Sequence, residues 1–167
     1  PIPLVELLRS DIKKTYTVSK IPLWTVVFNN FISAFIHLSI TSFIITIAVP
    51  LIFNAEKINN IGNFILGTIL LIATSCLIGT LLGLLVKKVA KLTLLAQCLF
   101  LPSIMLSGIM FPTSLLPDFV SNFGKILPAT WGFEIMCNHI IDKMMLFIIL
   151  ITITSCITLS WLLIKKL

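Results

Sequence analysis

Acidic residues are scarce in this chain. Six Asp and Glu are spread over 167 residues, and with 12 Lys and Arg the charged fraction is only 11%. Soluble domains carry about 25%. Apolar residues make up 58% and mean hydropathy is +1.14. A soluble fold of this length could not keep so much apolar surface from water, so lipid must be the solvent for much of it. Histidine is nearly absent too, with two residues, His37 and His139, far apart in the sequence. Of the four cysteines, Cys76, Cys98 and Cys156 fall in apolar runs and Cys137 lies alone outside them. No pair has metal-ligand spacing, and they read as small apolar packing residues. There is no GxxxxGK[ST], HExxH, GxSxG or CxxC. Leu106-Ser107-Gly108 is no ATPase signature, because it sits inside an apolar run and nothing after it continues one. Glu56, Asp118, Glu134 and Asp142 are scattered without a paired pattern. Intramembrane enzymes gather polar groups in their spans, and this chain does not, so it reads as a non-enzyme.

What is abundant is apolar sequence in long runs. Residues 24–49, 63–86, 92–111 and 144–164 are each long enough to cross a core of roughly 30 Å, which takes about 20 helical residues. Lipid offers no hydrogen-bond partners and the runs lack strand alternation, so the expected class is an all-α polytopic membrane protein. Basic residues set the orientation. Arg9, Lys13, Lys14, Lys20, Lys87, Lys88, Lys91, Lys165 and Lys166 fall on one side, against Lys57, Lys125 and Lys143 on the other. The positive-inside rule places both termini and the middle loop in the cytoplasm of a cell-membrane protein. The net charge of +6 is mostly this bias and not a nucleic-acid footprint.

Before the first span, residues 4–18 form an amphipathic helix candidate, with Leu4, Leu8, Ile12 and Tyr16 on one face. It reads either as an interfacial helix on anionic lipid or as a lever docking on a cytoplasmic partner. Asn29, Asn30 and His37 are polar groups in or near hydrocarbon. For His37 both a hydrogen bond to a neighbouring helix and a proton relay are open. The second span carries Gly67, Ser75, Gly79 and Gly83, the last three spaced by four, a small-residue stripe suited to packing within the chain or to a dimer seam. Lys87–Lys91 predicts a tight antiparallel hairpin into the third span. Pro102 there predicts a kink or break, and Gly108 a second weak point. Residues 112–143 read as two external amphipathic pieces, interfacial or re-entrant and each too short to span. The first follows Pro117. The second is capped by Thr130, with Phe133, Met136, Cys137 and Ile140 on one face and Trp131 in the aromatic belt.

The order of these signals is the most specific feature. Pro102 lies mid-span, Ser107-Gly108-Ile109-Met110-Phe111-Pro112 closes the span, and Leu127-Pro128-Ala129-Thr130 follows. This resembles the C-terminal part of the permease subunit of ABC type-2 transporters. In that family a proline and Ser-Gly-x-x-Phe-Pro end the fifth of six helices, and re-entrant helices with Leu-Pro-x-Thr precede the sixth. Pro102, Ser107, Gly108, Phe111, Pro112, Leu127, Pro128 and Thr130 match that outer-gate pattern. The family's cytoplasmic coupling helix would correspond to the stretch from Glu6 to Pro22, with Arg9, Asp11 and Lys13 between. Ser10-Asp11 and Asn29-Asn30 stand where the family often has Gly-Thr and Gly-Lys.

The resemblance implies alternating access by two permease copies or paralogues with two separate ATPase subunits, which bind the ATP and Mg. This chain would bind no cofactor or metal itself. It implies export of lipid-linked, peptide or amphipathic drug-like substrates across the bilayer, as in multidrug exporters. The chain starts at Pro1, not methionine, and its four spans would be the family's third to sixth, so it reads as lacking the first two helices. The alternative is a non-transport four-helix interaction, immunity or sensor protein.

Overall fold

The computed structural model describes residues 2–9, 22–53, 60–110, 117, 123–125, 127–137 and 143–166. Among these there are six helices and no strand: α1 (Ile2–Arg9), α2 (Leu23–Phe53), α3 (Ile61–Leu85), α4 (Val89–Leu106), α5 (Pro128–Cys137) and α6 (Lys143–Lys166). Four of them are long and apolar enough to cross a membrane. The chain is thus an all-α polytopic membrane protein, as its composition requires. Side chains such as Phe43, Leu51, Phe53, Phe100 and Phe147 stand exposed along the spans, where only lipid or protein can meet them.

Hydroxyls enter these helices at little cost because they bond back into their own helix. Thr41 donates to the His37 carbonyl (2.9 Å), Thr68 to Phe64 (2.7 Å), Thr80 to Cys76 (2.7 Å) and Thr154 to Leu150 (2.9 Å). In hydrocarbon every polar group needs such a partner.

α3 is the centre of the arrangement. It packs most extensively on α5 and α6, then on α2, and little on α4. The tight α3–α4 hairpin expected from the short lysine turn is therefore corrected. The turn joins the two helices at one end, but above it they diverge and a groove lies between them. Two elements account for this. α1 enters at the turn, and α5 occupies the surface of α3 at the other end.

Three boundaries differ from the hydropathy reading. α2 runs through Pro50 to Phe53, although a proline there has no N–H to donate to the carbonyl four residues back. α4 likewise continues through Pro102 without a break, and Pro102 is exposed. It also stops at Leu106 rather than 111. Ser107 caps it, its N–H donating to the Ser103 carbonyl (3.1 Å), and Gly108 turns to a φ of 84°. Glycine reaches this left-handed region freely and ends helices there. Gly108 is thus a terminator and not a weak point within a span. The apolar residues Ile109 and Met110 after it made the run look longer than the helix.

His37 lies on the exposed side of α2 rather than against a neighbouring helix. Most of the first external piece, around 118–122, lies outside the described residues, as do Ile12, Tyr16 and Ile140.

Candidate functional site

Two places gather the residues that the sequence singled out. They lie at opposite ends of α3.

At the lysine-rich end, α1 is seated in the protein. Leu4 is buried with Val27 of α2 and Leu84 of α3, and Leu163 and Ile164 of α6 pack on that cluster. Its neighbour Val5 is buried with Val86 of the turn and Leu92 of α4. Adjacent residues on a helix point about 100° apart, so α1 works as a wedge with one apolar side chain in each of two clefts. Of the two readings of residues 4–18, the described part of α1 meets protein through its apolar side chains. Val5 was not foreseen, because the four-residue repeat at Leu4 and Leu8 drew the face without it. Glu6 is exposed, turned away from the clusters. The Arg9 side chain, Asp11 and Lys13 lie outside the described residues, so three of the four coupling positions carry no geometry.

At the opposite end, the start of α5 is knotted to the end of α4. Ser107 is 1% exposed, and its hydroxyl donates to the Ile104 carbonyl (3.2 Å). Gly124 sits against this turn so closely that a Cβ built on it would lie 2.5 Å from the Leu106 carbonyl oxygen. The Gly124 carbonyl in turn accepts from the Leu127 N–H (3.0 Å) and from the Thr130 hydroxyl (2.5 Å). The Trp131 indole N–H donates to the Lys125 carbonyl (2.6 Å). Thr130 is therefore not the cap of α5. It lies in the helix's first turn, 2% exposed, and ties that turn back to residue 124. Trp131 spends its polar tip on the protein backbone rather than on a headgroup.

α5 then crosses α3 at a glycine contact. A Cβ on Gly132 would come within 2.8 Å of Leu71, and one on Gly67 within 3.0 Å of the Gly132 carbonyl oxygen. Small residues let the two backbones approach, as helix packing in lipid requires. Ile135 is fully buried and Met136 reaches Gly67, whereas Cys137 is exposed. The expected face of Phe133, Met136, Cys137 and Ile140 is corrected accordingly, since the buried side of α5 runs through Thr130, Gly132 and Ile135.

The structure thus brings Ser107, Gly108, Leu127 and Thr130 together, and the Pro128 backbone starts α5 between them. It sets Pro102 apart on the exposed side of α4, and Phe111 and Pro112 lie outside the described residues. Gly67 was named among the small residues of the second span but not in its stripe, and Gly124 and Gly132 were missed. Isolated glycines carry no sequence signal until the neighbouring backbone is known. Among the described residues there is no cluster of His, Cys, Asp and Glu that could hold a metal ion.

Comparison with known proteins bears on both places. The family model of the ABC-2 type transporter matches residues 12–141, which takes in α2 to α5 and the knotted turn but not α1. No curated protein matches the chain, and no solved structure does. A match over most of the chain, on a fold with four helices long and apolar enough to cross a membrane, decides the family: the chain belongs to the ABC-2 type transporters.

Proposed function

We propose that the chain is the membrane-spanning permease subunit of an ATP-driven exporter. Family membership is the observation that carries this reading. ATP and Mg are bound and hydrolysed on a separate ATPase subunit, as the family implies. The lysine-rich end faces the cytoplasm of a cell-membrane protein, by the basic bias of its loops. There the stretch that begins with α1 is the element on which the ATPase acts, through Glu6 and Arg9 of α1 and Asp11 and Lys13 beyond it. Its wedge into two clefts supports the role, because any tilt of α1 moves Leu4 and Val5 against α2, α3, α4 and α6 at once.

The knot of Ser107, Gly108, Leu127, Pro128 and Thr130, with Pro102, Phe111 and Pro112, is the outer gate. It joins the end of one span to the external helix, so a shift of α4 pulls α5 across α3. A second permease copy or paralogue completes the substrate path, and the cargo is an amphipathic, lipid-linked or peptide molecule.

The test is reconstitution of the full chain with its ATPase in vesicles. Gly108→Leu forces a branched side chain into a left-handed φ, at a cost of about 1–2 kcal/mol. It should insert normally yet lose transport. Charge reversal at Arg9 and Lys13 should leave basal ATP hydrolysis and remove its stimulation by substrate. Purified complexes that contain no ATP-binding subunit would overturn the reading outright.

A further inference from the structure

The groove between α3 and α4 has a volume of about 620 Å³, within the range of small-molecule sites. Leu82, Leu92, Ala96, Leu99, Phe100 and Ile104 are among its walls. Ser75 and Gln97 line it as well, with three hydroxyls that are spent within their own helices. Thr74 donates to the Leu70 carbonyl (2.9 Å), Thr93 to Val89 (3.0 Å) and Ser103 to Leu99 (2.6 Å). An occupant therefore meets a mostly apolar surface, with Ser75 and Gln97 as its polar points. Along α4 the groove extends over residues 92–104, which is about 18 Å at ~1.5 Å per residue. Half of a ~30 Å hydrocarbon core is about 15 Å, so one acyl chain fits lengthwise.

Charge marks one mouth of the groove. Lys88 is exposed at the N-cap of α4, in extended backbone one residue before the helix and four before Leu92, at the end of the groove that Leu82 and Leu92 line. Lys87 is exposed beside it, and α4 starts there without a side-chain cap. Among the described residues Glu6 is the acid at that end. Lys91 is also exposed, but helical spacing puts it on the side of α4 away from the groove.

We propose that this groove holds one acyl chain of an anionic phospholipid from the surrounding bilayer, with its phosphate against Lys88. Basic positions beside apolar clefts between spans suit such headgroups. The inference is independent of the transport reading, since a permease with an empty groove would still transport.

Quenching by brominated lipid tests it. In the full chain with Trp24, Trp131 and Trp161 changed to Phe, Phe100→Trp reports on the groove. Leu94→Trp reports on exposed α4 surface outside it. Each variant is placed in phosphatidylcholine vesicles with a minor fraction of either brominated phosphatidylglycerol or brominated phosphatidylcholine. Phe100→Trp should favour the anionic quencher by about fivefold, the contribution of one surface lysine, and Leu94→Trp should not discriminate. Adding Lys88→Glu should abolish the preference, and Lys91→Glu should leave it.

Equal quenching by both lipids at Phe100→Trp would overturn the proposal. So would equal loss with either lysine variant, which would mean diffuse attraction to the basic end. Absence of quenching at Phe100→Trp with normal quenching at Leu94→Trp would show that protein covers the groove, and would also overturn it. Should the Trp-free background not fold, native mass spectrometry of the unaltered chain decides. Phosphatidylglycerol retained there, lost in Lys88→Glu and kept in Lys91→Glu supports the site, and any other pattern rejects it.

Discussion

Gly124 shows how much a single residue can decide here. A methyl group at this position meets a backbone oxygen, which has no rotamer to escape into. Gly124→Ala should therefore cost about 1–3 kcal/mol, as overpacking does, and lower the thermal midpoint of the detergent-solubilised chain. Gly62→Ala is the matching control. Its added methyl meets nothing closer than the Asn60 Oδ1 at 3.8 Å, so the midpoint should hold or rise slightly. Ser160 predicts the opposite sign. It is buried in α6 with a hydroxyl that has no hydrogen-bond partner. A buried polar group without a partner costs about 1–3 kcal/mol, so Ser160→Ala should be neutral or stabilising in the same melt.

At the scale of the element, α1 and α5 are short helices held by very different means. α1 is held by two apolar side chains, Leu4 and Val5. Leu4→Ala should cost about 2–4 kcal/mol if the cleft does not collapse, and should expose α1 to limited proteolysis while the spans stay protected. α5 is held by backbone proximity at Gly67 and Gly132 and by hydrogen bonds from Thr130. Thr130→Val keeps the shape and removes the donor, which leaves the Gly124 carbonyl short of one buried partner. A loss of about 1–2 kcal/mol is expected, with Thr130→Ser restoring most of it. Faster amide exchange across residues 127–130 in the valine variant, and not in the serine one, is the measurement that checks this. The periodicity of the sequence announced both helices. It found Leu4 but left out Val5 of α1, and it misplaced the buried face of α5, because each face is set by which neighbour supplies a cleft or a bare backbone, and neither is local information.

For the whole molecule, the arrangement puts α1, the lysine turn and the end of α6 at one end, and the α4–α5 knot at the other. The proposed orientation in the membrane rests on the basic bias. With the four native cysteines changed to alanine, an impermeant maleimide applied to intact cells should label Met110→Cys. Lys88→Cys should be labelled only after permeabilisation. The reverse pattern would invert the proposed topology and place α1 out of reach of any cytoplasmic ATPase.

The sequence by itself determined the class, the four spans, the family and the ends of the molecule to which its charges belong. These depend on quantities that sum along the chain: hydropathy over twenty residues, lysines per loop, and a motif read in order. Only the tertiary structure decided that α4 stops at Leu106, that α3 and α4 diverge into a groove, and that Thr130 reaches back to residue 124. Each of these is settled by a backbone torsion or by a neighbour distant in sequence. In lipid, where apolar surface is satisfied almost anywhere, close approach and hydrogen bonding choose the partner, and neither leaves a mark on hydropathy.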